Sequence, residues 1–152
     1  MRTVLQRVSR AEVRVEGEVV GSIGPGLVAL VGVAHGDGSA EVETTAAKIA
    51  GLRLFEPEGE GGERSVLEVG GEVLVVSQFT LHADVRKGRR PSWNAAAPGP
   101  VAEPVVDAVA KRLRELGVAV ATGRFGAHME VELVGDGPVT IVLDVPTVGS
   151  SA

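Results

Sequence analysis

Residues 27–33, Leu-Val-Ala-Leu-Val-Gly-Val, form an unbroken apolar run. The run is too short to cross a bilayer, which takes about 20 apolar residues as a helix. It has no alternating polar positions, so as a strand it must be covered on both faces. A second run, Val73-Leu74-Val75-Val76, behaves alike and then stops abruptly at Ser77-Gln78. With 152 residues the chain suits one domain. A chain of that length buries roughly 68–70% of its unfolded surface, so it needs no disulfide or metal to hold it together.

The remaining elements follow from periodicity and turn residues. Thr3 to Val8 alternates, Val13 and Val15 continue the strand, and Glu16-Gly17-Glu18 turns it back into Val19-Val20. Gly24-Pro25-Gly26 is a second turn, so the first third reads as a β meander. Val42, Ala46, Ile49, Ala50 and Arg53 fall at helical spacing, which predicts a helix over 39–53 with Ser39 as its N-cap and Glu41 and Glu43 in its first turn. Residues 57–62 are a Gly/Glu-rich loop. Residues 73–81 read as a strand, and Val105, Val109, Leu113 and Leu116 mark a helix over 101–116 closed by Gly117. Pro104 fits that helix only within the first turn. Strands over 118–122, 129–134 and 139–145 complete a single domain, 1–145, with a disordered tail over 146–152.

Composition narrows the chemistry. Cysteine is absent, which removes disulfides, thiolate catalysis and Cys-ligated zinc. The net charge of −5 argues against a protein that coats a nucleic-acid backbone, but leaves room for one that grips an RNA end. Aromatic residues are 3% of the chain, too few for a broad base-stacking platform. The N-terminal residues carry no long apolar segment, so a cytoplasmic protein without a membrane partner is expected.

Two segments break the local rules of strand sequence. Ser77-Gln78-Phe79-Thr80-Leu81 puts hydroxyls and an amide straight after an apolar strand, where backbone N–H groups can be aimed into a cleft. The bland reading is a strand end whose Ser and Thr bond the local backbone. Gly137-Pro138 interrupts strand-like sequence, because proline removes a ladder donor and glycine lets a ligand approach the backbone. The bland reading there is an ordinary hairpin turn over 135–138. Arg86-Lys87-Gly88-Arg89-Arg90 is a local positive patch, a candidate for RNA phosphates through Lys87, Arg89 and Arg90, or simply a solvated loop. Trp93 beside it could stack on a base; a subunit contact is the favoured reading. His35, His82 and His128 share no metal-ligand spacing, and no cofactor or metal is expected.

These segments resemble the D-aminoacyl-tRNA deacylase family: Ser77-Gln78-Phe79-Thr80-Leu81, Lys87-Gly88-Arg89-Arg90-Pro91-Ser92, and Asp136-Gly137-Pro138-Val139-Thr140, with Gln6-Arg7-Val8-Ser9-Arg10-Ala11 similar to its first strand. The similarity runs from Met1 to about Val145. It implies a homodimer of compact α/β subunits with mixed, barrel-like sheets. It implies hydrolysis of the ester joining a D-amino acid, or glycine, to the 3′ adenosine of tRNA. It implies that Gly137-Pro138 is a cis step reaching into the partner subunit's pocket to reject L-amino acids, with Arg7 holding it. Phe79 and Thr80 would supply oxyanion amides, Ser77 and Gln78 would shape the pocket, and Met129 would flank the adenine. Gly135, His128 and the 61–64 segment depart from the family pattern. Two alternatives remain open: a sibling deacylase with a trans step acting on a small mischarged L-amino acid, and a non-catalytic module that binds RNA ends.

Overall fold

In the computed structural model, residues 1–149 are described, and the rest of the expected tail, 150–152, lies outside them. Strands β1 (Arg2–Val15), β2 (Glu18–Ile23) and β3 (Gly26–Gly32) form the expected meander, with Glu16 and Gly17 at positive φ in the first turn. Helix α1 (Ser39–Gly51) follows, then a short hairpin of β4 (Arg53–Phe55) and β5 (Arg64–Ser65), then β6 (Glu72–Ser77). A four-residue 3-10 turn (Phe79–His82) precedes α2 (Gly99–Glu115), β7 (Ala119–Thr122) and β8 (Glu130–Asp144).

The main sheet runs β2-β1-β3-β6-β7, with β8 on the other side of β1. It is mixed: β1 is antiparallel to β2, β3 and β8, whereas β3–β6 and β6–β7 are parallel. Strands β2 and β7 come into contact, so the sheet nearly closes on itself as the resemblance implied. Strands β3 and β6 are buried on both faces, as their apolar runs require. Leu27, Ala29, Val31, Val73 and Val75 pack under the two helices, while Val28, Leu74 and Val76 join Val8, Val13 and Ile23 inside the curl of the sheet.

Several local expectations are corrected. Gly38, not Ser39, caps α1, and Glu41 reaches back to accept the Gly38 N–H at 2.8 Å. Glu43 lies beyond the first turn and pairs with Arg112 of α2 at 2.6 Å. Arg53 belongs to β4 and not to the helix. Pro104 sits inside α2, past its first turn. It is tolerated because it and Pro100, whose carbonyl it deprives of a donor, are both exposed to solvent. The strand expected over 73–81 stops at Ser77. The two strands expected over 129–134 and 139–145 are one continuous strand on β1. Residues 147 and 148 are not free: Thr147 Oγ1 donates to Asp37 at 2.6 Å and the Val148 N–H donates to Glu41 at 2.6 Å. The buried Met1 amine donates to the Val145 carbonyl at 2.8 Å and pairs with Asp37 at 2.9 Å, so Met1 and residues 145–148 gather at the N-terminus of α1. The Val148 and Gly38 amides that bond Glu41 hold its carboxyl below the usual range.

Candidate active site

The end of β6 builds the site. Ser77 is the last residue paired to β3, opposite Val31, and the Gln78 N–H still donates to the Val31 carbonyl at 2.8 Å. The chain then coils into the 3-10 turn. The first bond within that turn is Leu81 N–H to the Gln78 carbonyl, 3.2 Å. The amides of Phe79 and Thr80 precede it and have no acceptor inside the turn, as at any helix start. The Gln78 side-chain amide donates to the Thr80 hydroxyl. Two side chains tie the turn down: Arg2 donates to the Leu81 carbonyl at 3.2 Å, and His82 Nε2 donates to the Gly32 carbonyl at 3.0 Å. Gly32 makes this close packing possible, because a Cβ there would fall 2.9 Å from the Gln78 carbonyl oxygen and 3.2 Å from the His82 ring.

Ser77, Gln78 and Phe79 line one wall of a cavity of about 350 Å³. The other walls are apolar: Val31 from β3 and Val33 just beyond it, Trp93, Ala96 and Ala97 from the segment before α2, Ala102 and Val106 from α2, and Phe125 with Gly126 from the turn before β8. Phe79 and Trp93 meet edge to face at 5.3 Å and stand 55% and 42% exposed at the site. A cleft with one polar edge and aromatic walls suits a flat, apolar-faced group carrying an ester or amide at one end.

The other rule-breaking segment lies elsewhere on the chain. The ladder between β1 and β8 pairs Gln6 with Thr140 and then Val8 with Gly135, so residues 136–139 bulge opposite the single residue Arg7. The segment is a bulge within a strand, not the hairpin turn of the bland reading. The Gly137-Pro138 peptide bond is cis, Gly137 has φ +146°, and a Cβ on it would meet the Val139 nitrogen at 2.5 Å. Buried Arg7 donates to the Asp136 carbonyl at 2.9 Å and to the Leu54 carbonyl at 2.7 Å, with Asp136 and Glu56 carboxylates at 3.5 and 3.7 Å. Gly137 and Pro138 are exposed and line no part of the cavity. Thr3, Val31 and Ser77 stand at one level of the sheet, and Arg7, Leu27 and Val73 at another. Four residues separate these levels, ~13 Å along the strands.

The structure therefore brings together Ser77, Gln78, Phe79 and Thr80, and separately Arg7 with the Gly137-Pro138 step. Met129 lines neither feature; it packs against the cluster inside the sheet, its sulfur filling the space beside Gly123. Lys87, Arg89 and Arg90 project from a loop closed by Asp84 and Ser92. Arg86 is clamped by Asp84 through bonds of 2.9 and 2.7 Å, and this pairing holds the Asp84 carboxyl at about 2. His35 bonds the Asn94 carbonyl at 2.7 Å and His82 the Gly32 carbonyl, so both tie segments to each other. Among the described residues no group of three or more His, Asp or Glu is positioned to hold a metal ion, and no helix is long and apolar enough to cross a membrane.

Sequence reasoning missed Trp93 and Phe125 as cavity walls, and His82 and Gly32 as the supports of the 3-10 turn. Phe125 carried a readable signal, since glycines at 123 and 126 disfavour regular strand or helix around it. Trp93 was read as a subunit contact, because nothing local links it to Phe79.

The family model described as D-Tyr-tRNA(Tyr) deacylase matches residues 4–144. Proteins named D-aminoacyl-tRNA deacylase from Beutenbergia cavernae and Kineococcus radiotolerans are 66% and 63% identical to this chain over 145 residues, in alignments covering 95% of it and 99% of each relative. Among solved structures, one described as a c-Myc DNA unwinding element binding protein is 40% identical with a TM-score of 0.90, over 96% of this chain and 99% of the other. One described as a probable eukaryotic D-amino acid tRNA deacylase has a TM-score of 0.78 at 17% identity, over 95% and 98%, a likeness of fold.

Proposed function

The chain belongs to the D-Tyr-tRNA(Tyr) deacylase family and is a D-aminoacyl-tRNA deacylase in activity, a hydrolase of the aminoacyl ester; from that premise we propose how its residues act. The terminal adenosine enters the apolar cleft, with its ester against the Ser77–Thr80 edge. Water attacks the ester carbonyl carbon. The amides of Phe79 and Thr80 stabilise the oxyanion that forms, and the 3′ oxygen leaves with a proton. The Thr80 hydroxyl is engaged with Gln78 and no general base has been assigned beside it, so it is a weak nucleophile. The neighbouring ribose 2′ hydroxyl is the better-placed group to assist the water. Ser77 and Gln78 shape the polar edge; Met129, packed inside the sheet, has no part in it.

Chiral selection is assigned to Gly137-Pro138 of a second copy. The observation that carries this assignment is the separation of the two motifs within one chain. The step is held rigidly by Arg7 yet faces solvent, ~13 Å along the sheet from the level of Ser77. It lies on β8, which pairs only β1 among the described residues and exposes Val131, Leu133, Val134 and Val142. A long edge strand with exposed apolar side chains calls for a partner surface, and a homodimer supplies both the cover and the filter. Backbone carbonyls of the step then exclude an L side chain, while D-amino acids and glycine, including glycine mischarged on tRNA(Ala), are admitted. This reading puts the enzyme in the cytoplasm, where charged tRNA circulates.

The test is deacylation of matched D-Tyr-, L-Tyr- and Gly-tRNA, with sedimentation to count subunits. D-Tyr and Gly should be released and L-Tyr spared by a dimer. Equal hydrolysis of both enantiomers, or an active monomer, overturns the filter. Thr80→Ala should slow turnover only modestly if the amide is what matters, whereas complete loss with an intact fold would favour a covalent threonine.

A further inference from the structure

We propose that the loop 84–92 is a phosphate-binding arm that holds the single-stranded RNA leading into the cleft, an inference resting on the deacylase reading above. Three observations carry it. First, the loop is built and not frayed: Asp84 and Ser92 exchange two backbone hydrogen bonds of 2.8 Å each, which close it at its base. Second, its charge is uncompensated. The Asp84 carboxylate is consumed by Arg86, while Lys87, Arg89 and Arg90 are exposed and make no ion pair among the described residues, a local charge of three on a chain whose net charge is −5. Third, the arm is continuous with the cleft. Arg86, Lys87, Arg90 and Ser92 line a concavity of about 330 Å³ with Asp84. The next residue, Trp93, forms a cavity wall against Phe79. Arg90 is three residues from Trp93 and Lys87 six, within ~11 and ~22 Å of chain, the reach of the last few nucleotides before the terminal adenosine.

The physical logic divides the labour. The cleft recognises one nucleoside and its ester through shape. Such a small contact leaves little affinity for a polyanion approaching an acidic protein. Unpaired cations beside the entrance reverse the local field and release counterions from the strand. For single strands this gives a salt slope of about −0.7 per phosphate neutralised. Three phosphates give a slope near −2, an affinity loss on the order of 20-fold between 50 and 200 mM salt. Arginine and lysine here act on phosphate and not on base identity, so the arm adds affinity without adding sequence preference.

The experiment has two readouts. Binding of a short fluorescent RNA ending in CCA-3′ is followed by anisotropy across that salt range, for the wild type and for K87A/R89A/R90A. Hydrolysis is compared on D-Tyr-tRNA and on D-Tyr esterified to adenosine alone. The triple variant should flatten the salt slope by about 2. Its KM should rise at least tenfold more on D-Tyr-tRNA than on the adenosine ester, with kcat on tRNA following the wild type. The charge-preserving K87R/R89K/R90K should restore the slope. An unaltered slope, or equal losses on both substrates, overturns the arm. A wild type that binds the RNA with the expected slope but cleaves neither ester would sink the deacylase reading and leave the arm supported.

Discussion

The 3-10 turn after β6 and the bulge in β8 are built by the same devices and end up opposite in character. Each replaces regular strand where the sequence turns polar or loses a donor. Each depends on a glycine whose Cβ would strike backbone, Gly32 against the Gln78 carbonyl and Gly137 against the Val139 nitrogen. Each is tied by an arginine of β1 to a carbonyl, Arg2 to Leu81 and Arg7 to Asp136. Yet the turn lines an apolar cavity, whereas the Gly137-Pro138 tip of the bulge stands in solvent, with only Asp136 at its base facing a concavity of the same chain beside Arg7 and Glu56. The dimer proposed above gives this rigidly held, exposed step a surface to act on. Irregular backbone of this kind usually marks function, and in the proposed dimer the two pieces are complementary halves.

Substitutions that break one half without the other sharpen this contrast. The largest effect is expected from Gly137→Ala. The new Cβ would fall 2.5 Å from a backbone nitrogen at φ +146°, so the bulge must move. A displacement near 1 Å costs on the order of 100-fold in rate, read as kcat/KM on D-Tyr-tRNA together with a rise in L-Tyr-tRNA hydrolysis. Arg7→Met comes next. It strips the donors from the Asp136 and Leu54 carbonyls at a buried position. Hydrogen bonds to a charged group are worth about 1.5–3 kcal/mol each. A loss of about 3 kcal/mol in a denaturant titration is expected, with chirality loosened more than turnover. Gly32→Ala acts on the other half. Overpacking of this kind costs ~1–3 kcal/mol, and the shift of Gln78 should lower kcat on D-Tyr-tRNA while the D/L ratio holds. If Gly32→Ala alters chirality as much as Gly137→Ala does, the division of roles is wrong.

The smallest effect belongs to the Asp84–Arg86 clamp at the base of the basic loop. Its folded-state value of about 2 lies below the ordinary 3.8. The clamp therefore contributes fully above the ordinary value and is lost as pH falls through about 2. A carbon-detected NMR titration of Asp84 should leave its carboxylate ionised at pH 3, whereas Arg86→Ala should return it toward 3.8.

Much of this molecule is legible in its primary structure, for reasons particular to each segment. The run at 27–33 suits a doubly covered strand, and Val42-Ala46-Ile49 follows the spacing of one helix face, because burial periodicity is a local property. The Ser77–Leu81 and Gly137-Pro138 motifs announced themselves by breaking local rules. The boundary at Ser77 did not, because Phe79-Thr80-Leu81 suits a strand as well as a turn, and only packing on Gly32 decides between them. The helix cap was misplaced by one residue because the Glu41 side chain, not the Ser39 hydroxyl, satisfies the first turn.

Sequence alone determined which residues are unusual; tertiary structure decided what they face. Arg7 meets Asp136 across 129 positions of chain, and one residue of β1 stands against four of β8. The pairing of Trp93 with Phe79 likewise depends on where α2 and the turn at Phe125 come to rest. Local patterning fixes the hydrogen-bonding and burial needs of a segment. The neighbour that meets those needs is selected by closing the whole sheet, a global packing condition that no short window of residues contains.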